Sequence, residues 1–358
     1  MAVDTEFWRE KTYYPKLCLL QIATPKIAAT IDVLTENIDL TPIWDLLYNQ
    51  DILKVFHAAF QDVEIFVNLH NRVPTPFFDT QVAAEFCGFS ESVAYDSLVK
   101  SFCGTALDKS SRVTDWQRRP LSDKQLAYAL NDVTYLCNVY EKLYGRLDKN
   151  NRRDWYDQEI TPFFEKEVYK VAPENAWQKV KIGNLKPRPF VTAQHLSHWR
   201  EMQAQQMDLP RRRVLSDEAI IELAQRPPKN VDAIENTRFV KKSLRRAHWD
   251  VVVGVVQVAQ TIPQENLPDA RPTISPPPGF AWKVDLLKVL LKYISEKERL
   301  STRLIATSSD LNDIVTQGDK AEVKPLQGWR REVFGETALS VLNGELKLSV
   351  DKTQLIFN

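Results

Sequence analysis

Asp4 and Glu6 stand two residues apart in AVDTEF, among residues that favour a strand. Side chains alternate along a strand, so Asp4 and Glu6 share one face while Val3, Thr5 and Phe7 share the other. Two like charges side by side repel unless something positive sits between them. Two further acids have apolar neighbours: Asp62 in HAAFQDVEIF, and Asp132 in YALNDVTYL, where Tyr128 lies one helical turn earlier. Four carboxylates gathered in one cleft cannot all ionise without cations, and hard divalent ions with oxygen ligands are the natural counter-charge. Two such ions, Mg²⁺ or Mn²⁺ about 4 Å apart, would clamp the attacking and leaving oxygens of an in-line phosphoryl displacement. A tyrosine hydroxyl, with an ordinary pKa of about 10, would orient the attacking water rather than deprotonate it. Taken alone, AVDTEF is equally compatible with a frayed acidic terminus.

The elements that would hold these groups read as a mixed α/β sheet covered by helices. Two apolar runs, LCLLQIA (17–23) and KIAATID (26–32), predict strands joined at Thr24-Pro25, and LKVFHA (53–58) predicts another. TPIWDLLYN (41–49) has helical spacing, and so has FQDVEIFVNLHN, with Val63, Phe66, Val67 and His70 in one stripe. In FFDTQVAAEFCG (77–88), Asp79 is read as the N-cap of a helix ending at Gly88, in preference to a fifth active carboxylate. LSDKQLAYALNDVTYLCNVYEKL (121–143) predicts one long helix. Ser122 and Gln125 form its capping box, Leu121 and Leu126 its staple, and Leu126, Leu130, Val133 and Cys137 its core face.

The chain has 358 residues, enough for two or three domains, and 44% of them are hydrophobic. Its net charge is zero, yet residues 1–146 hold 14 basic and 19 acidic residues while 147–260 hold 20 and 15. An acidic first part thus precedes a basic middle part. The four cysteines show no CxxC spacing, which argues against a zinc site or a disulfide framework and fits a reducing cytoplasm. Only ten glycines are present and neither GxxxxGK[ST] nor GxGxxG occurs, so no nucleotide cofactor is expected. No basic-then-apolar leader opens the sequence, and VVVGVVQVA (251–259) is about half the ~20 residues that span a bilayer, so it reads as a buried helix end. No membrane partner is expected. Beyond about residue 150 the chain turns helical, with proline-rich connectors at GNLKPRPF (183–190) and 262–280. VLSDEAIIEL (214–223) and TSSDLNDIV (307–315) each follow a long helical stretch and open on Ser-Asp, a faint internal repeat.

AVDTEF, HAAFQDVEIF and YALNDVTYL together resemble the three exonuclease motifs of the DEDD 3′–5′ exonuclease superfamily, in its tyrosine branch. FFDTQVAAEFCG and LDKSSRVTDWQRRPLSDKQLAYALND resemble the ribonuclease D family within it, and HWREMQAQQMDLPRRRVLSD, with its weaker second copy, is similar to HRDC modules. The resemblance implies a ribonuclease H-like α/β exonuclease domain followed by two small all-α HRDC-like domains. The expected boundaries are 1–147 for the exonuclease domain, 148–172 for a helical connector, 173–262 and 281–358 for the HRDC-like domains, and 263–280 for their linker. By the same resemblance, Asp4 would bridge two metals and Glu6 would bind the one that activates water. Asp132 would share that metal, Asp62 would hold the second, and Tyr128 would position the nucleophile. The implied reaction is metal-dependent 3′–5′ hydrolysis of RNA to nucleoside 5′-monophosphates. The family's usual task is trimming tRNA precursors and other small structured RNAs, by an enzyme expected to be monomeric. Family members have a further stretch of about one helix before the first motif, whereas this sequence starts three residues before Asp4. The first strand is therefore expected to lack one covering element.

The contacts to nucleic acid are less determined. His57 matches the family motif and could touch the terminal nucleotide or bond to backbone at a strand end. Lys109, Arg112, Arg118 and Arg119, with Trp116 among them, have the composition of a phosphate-and-stacking contact, or else brace the long helix. In RFVKKSLRRAHW (238–249), Arg238, Lys241, Lys242, Arg245 and Arg246 are read as one helical face against an RNA backbone rather than a merely solvated one. Two alternatives to the RNA nuclease stand beside it: a DNA 3′–5′ exonuclease on the same fold, and an RNA-binding protein that has lost catalysis. The 2′-hydroxyl contacts that would separate RNA from DNA are not legible in sequence.

Overall fold

A computed structural model describes residues 1–108, 110–235, 237–240, 245–268, 278–352 and 354–357. The first domain is built on a five-stranded sheet of order β3-β2-β1-β4-β5. Its strands are β1 (Ala2–Trp8), β2 (Lys16–Ala23), β3 (Ala28–Ile31), β4 (Lys54–Phe56) and β5 (Phe77–Asp79). β1, β2 and β3 run antiparallel, and β4 and β5 join β1 in parallel, so the expected mixed sheet is present. Helices α1 (Thr41–Tyr48), α2 (Phe60–His70), α3 (Thr80–Phe86) and α4 (Tyr95–Cys103) connect and cover it. Val63, Phe66 and Val67 of the α2 stripe are buried as read, whereas His70 at its end is exposed and packs its ring on Trp44.

One local expectation is corrected. Residues 121–143 do not form one helix: α5 (Asp123–Thr134) ends at Tyr135, and α6 (Leu136–Lys149) begins at the next residue. The capping box at Ser122 and Gln125 is present, and Ala129, Val133, Leu136, Cys137, Val139 and Leu143 are the buried positions, whereas Leu126 and Leu130 of the expected core face are half-buried. In 77–88, Asp79 caps α3 as read, accepting a hydrogen bond from the Gln81 N–H, and Phe77–Asp79 ahead of the helix is an unexpected strand. A three-residue strand between two helices is too short for period-2 alternation to register.

The chain continues through α7 (Arg153–Ile160) into α8 (Pro187–Gln206). Pro187 sits in the first turn of α8, where its missing N–H goes unneeded, so the stretch read as a connector is already helical there. Short helices at Arg211–Val214, Asp217–Gln225 and Val231–Ile234, and a longer one at Trp249–Thr261, close a separate core with α8. The valine run lies in the last of these, with Val252, Val253 and Val256 buried and Val251 and Val258 exposed. Among the described residues no helix is long and apolar enough to cross a membrane. The C-terminal segment repeats the order of long, four-residue and medium helix at Ala281–Glu298, Thr302–Ile305 and Ser308–Gln317. It closes with a two-stranded hairpin, Leu348–Asp351 with Gln354–Phe357, so it is helical but not all-α.

Both helical segments pack back onto the first part of the chain. The β1–β2 connection sends Tyr13 into the middle domain, where its hydroxyl donates to Glu201 and accepts from Arg211 at 2.8 Å. Trp329 of the last segment stacks on Trp155 at 5.0 Å, and Arg152 donates to the Phe86 and Glu298 carbonyls.

Candidate active site

The parallel connection from β4 to α2 and the crossing of α5 over β1 open a cleft of about 610 Å³ at the middle of the sheet. Asp4 and Glu6 enter it from β1, and the half-buried Tyr128 and Asp132 from α5. Carboxylate oxygens of Asp4, Glu6 and Asp132 lie within 4.8 Å of one another. Asp62 stands behind this trio. It is buried in the first turn of α2, and one of its oxygens accepts a short hydrogen bond from the Thr5 hydroxyl on the opposite face of β1. The register of β1 against β2 slips between Glu6 and Phe7, where Cys18 of β2 is the extra residue, so the alternation of β1 itself is kept.

Burial is the first cause of the site's electrostatics and mutual repulsion the second. Asp4 is pushed well above the carboxylate range by desolvation, then by Asp62, Asp132 and Glu6. Desolvation and the charges of Asp132 and Asp62 raise Glu6 to about 9. Burial raises Asp132 to about 7 against the opposing effects of a Tyr128 hydrogen bond and the Arg112 charge. Asp62 also reaches about 7 through burial, which its bond from Thr5 offsets only in part. Tyr128 is pushed up by burial and by the same carboxylates, so its hydroxyl keeps its proton. Among the described residues no cationic side chain enters the trio; the charge that acts on Asp132 is that of Arg112, an exposed residue on the cleft wall. An all-oxygen, anion-rich donor set of this kind fits a divalent cation.

Other candidates divide. His57 lines the cleft with its Nδ1 at 3.0 Å from the Thr80 hydroxyl, and burial lowers its pKa. Asp79 is not a fifth active carboxylate. Its oxygens accept from the Ala58, Ala59 and Gln81 N–H groups, and so hold the loop that carries His57, where Ala58 takes φ +59°. Trp116 is 4% exposed and packs against Cys18, Leu19 and Ala129, so its ring braces α5 rather than offering a stacking face. Arg119 is likewise a brace: it is paired with Asp32 at 2.6 Å and donates to the Trp116 and Cys18 carbonyls. Arg118 is exposed, and Lys109 lies outside the described residues.

The described arginines of the basic stretch 238–249 do not share one helix. Arg238 is in a turn whose N–H donates to Glu222, Arg245 is extended, and Arg246–His248 is a single 3₁₀ turn. Lys241 and Lys242 lie outside the described residues. Sequence reasoning missed Tyr95, Gln61, Gln81 and Asn131, all on the cleft wall. Tyr95 donates to the Asn131 carbonyl at 3.2 Å and sets its ring 5.6 Å from His57. Nothing in the spacing of these residues marks them.

A mixed sheet with acids converging from its central strand and a crossing helix defines a DEDD-type 3′–5′ exonuclease. Residues 1–148 match the 3′-5′ exonuclease family, and residues 191–256 match the HRDC domain family. Ribonuclease D of Bartonella henselae is 41% identical over 97% of this chain and 86% of its own length. That of Jannaschia sp. is 44% identical over 98% and 91%. The crystal structure of Escherichia coli RNase D, an exoribonuclease involved in structured RNA processing, superposes with a TM-score of 0.83 at 31% identity, covering 96% of this chain and 92% of that one. The chain belongs to the ribonuclease D family of 3′–5′ exoribonucleases.

Proposed function

We propose that the cleft takes the single-stranded 3′ end of an RNA and releases nucleoside 5′-monophosphates one at a time, using two divalent cations, Mg²⁺ or Mn²⁺. The observation that carries this reading is the convergence of Asp4, Glu6 and Asp132 beside Tyr128 in an open cleft, with no cationic side chain of the described residues among them. Asp4, Glu6 and Asp132 would hold the cations, with Asp62 behind them, and bound cations would supply charge neutralisation at the scissile phosphate and an acidified water. Tyr128, protonated at neutral pH, orients the attacking water by hydrogen bond. Arg112 on the cleft wall meets a substrate phosphate, and His57, anchored through Thr80, faces the terminal nucleotide.

The substrates that fit the family are tRNA precursors and other small structured RNAs, processed by a monomer in the cytoplasm. The middle domain and the C-terminal segment, about 173–262 and 281–358, are read as tandem HRDC-like modules on the strength of their repeated helix order. The exposed Arg238 and Arg245, with Lys241 and Lys242 between them in sequence, are read as a contact for RNA backbone. The test is a 5′-labelled single-stranded RNA and its DNA equivalent, incubated with Mg²⁺ or Mn²⁺ and then with EDTA. A ladder shortening from the 3′ end of RNA and abolished by EDTA is the expected result. Activity that survives chelation, or a preference for DNA, overturns the reading.

A further inference from the structure

The β2 side chains facing α5 run Leu19, Gln21, Ala23, and they are 1%, 0% and 2% exposed. Leu19 packs there against Ala129 of α5. Register sets these three residues opposite Glu6, Asp4 and Ala2 of β1. Residues directly opposite in an antiparallel pair project from the same face, with Cβ atoms about 4.5–5.5 Å apart. Gln21 therefore lies beside Asp4 on the floor of the active site, with Thr30 of β3 as its neighbour on the other side.

Neither Nε2 nor Oε1 of Gln21 has a hydrogen-bond partner among the described residues. A buried carboxamide without partners costs stability that an apolar side chain of the same volume would not. Leucine or methionine would continue the apolar row of β2 without this penalty, so the amide calls for a reason. Asp4 supplies one. A carboxylate that holds a cation keeps lone pairs that the cation does not use, and a donor fixed beside it sets its orientation and basicity.

We infer that Gln21 is a positioning residue for Asp4, its Nε2–H donating to the Asp4 carboxylate when that carboxylate holds a divalent cation. The inference rests on the reading of Asp4, Glu6 and Asp132 as the ligand set. Its test uses the full chain without RNA. Mn²⁺ binding is followed by electron paramagnetic resonance in the wild type, Gln21→Met and Asp4→Asn. Gln21→Met is expected to melt no lower than the wild type in EDTA, yet to bind Mn²⁺ about tenfold more weakly, the lower end of the range for loss of an outer-shell partner. With RNA its kcat falls while KM holds. Wild-type Mn²⁺ affinity in Gln21→Met overturns the inference and leaves the ligand set standing; wild-type affinity in Asp4→Asn overturns the ligand set instead. Should Gln21→Met fail to fold, the wild type still decides. The Gln21 side-chain amide protons, assigned by NMR through the backbone, are expected to shift with Mg²⁺ along the cation-binding isotherm. Their indifference to Mg²⁺ overturns the inference.

Discussion

Two buried acidic centres in this molecule are built on opposite principles. In the middle domain, Glu201 is 0% exposed on α8 and meets Arg211 through two hydrogen bonds at 2.5 and 2.7 Å. Tyr13 and Gln205 complete its shell. Burial alone would push Glu201 up, but the bonds from Arg211 and Tyr13 outweigh it and hold the carboxyl below its ordinary range. In the cleft the same burial, joined by mutual repulsion, outweighs the little that opposes it, and the carboxyls rise. A carboxylate that serves the fold brings its own counter-charge in sequence. Carboxylates that serve chemistry leave that place open, which makes them a standing cost to the cation-free protein and a ready site for a cation.

The sharpest way to break this comparison is to neutralise one member of each centre. Asp4→Asn should lower the rate of nucleotide release by at least a hundredfold to a thousandfold, roughly the loss seen when one charge-stabilising group is removed. Its melting temperature in EDTA should equal or exceed that of the wild type, because the cost of keeping a proton on this buried carboxyl has gone. Glu201→Gln should do the reverse. Leaving Arg211 without its partner should cost about 3 kcal/mol of stability, measured by urea unfolding, with kcat of the folded fraction intact. An Asp4→Asn protein that unfolds easily, or a Glu201→Gln protein as stable as the wild type, would erase the distinction.

Within the cleft, Tyr128→Phe removes only the hydroxyl. It should reduce kcat by up to about a hundredfold, the scale of a misplaced reactant, with Mn²⁺ affinity and KM unchanged. An effect confined to KM would reassign Tyr128 to substrate binding. The smallest expected effects concern the two arginines that the sequence grouped together. Arg119→Ala should lower the melting temperature through loss of the Asp32 pair and the carbonyl bonds, whereas Arg112→Ala should leave it unchanged and raise KM for RNA a few-fold. Equal melting shifts in both would show that the cleft loop has no division of labour.

Much of this was legible from residue type and spacing. Asp4, Glu6, Tyr128 and Asp132 announced themselves because strand alternation and the helical turn are strict geometric periods, and charges on a buried face are rare enough to notice. The capping box at Ser122 was equally plain, since it depends on two side chains three residues apart. What escaped depends on tertiary context. The extra residue, Cys18, that β2 carries opposite the Glu6–Phe7 step leaves no mark in the alternation, nor does the break between α5 and α6 at Tyr135. Trp116 and Arg119 have the composition of a nucleic-acid contact, but burial and the Asp32 pair make them struts, and composition carries no information on burial. The basic run at 238–249 looked helical because helical periodicity says nothing of the turn that Glu222 imposes at Arg238 and Phe239.

The central claim, that the catalytic acids lack an internal counter-charge and gain it from a divalent cation, is tested most directly by melting the wild type from pH 5 to 8.5 in EDTA and in Mg²⁺. Asp62 and Asp132 titrate near 7 and Glu6 near 9 in the cation-free protein, above the ordinary values of 3.8 and 4.5. The folded state thus keeps protons that the unfolded chain releases, and the stability they confer is complete below about pH 4 and lost as pH rises through the folded values. The melting temperature in EDTA should therefore fall across this range, and the increment from Mg²⁺ should widen as cations replace the departing protons. Parallel curves, with a Mg²⁺ increment independent of pH or absent, would contradict it.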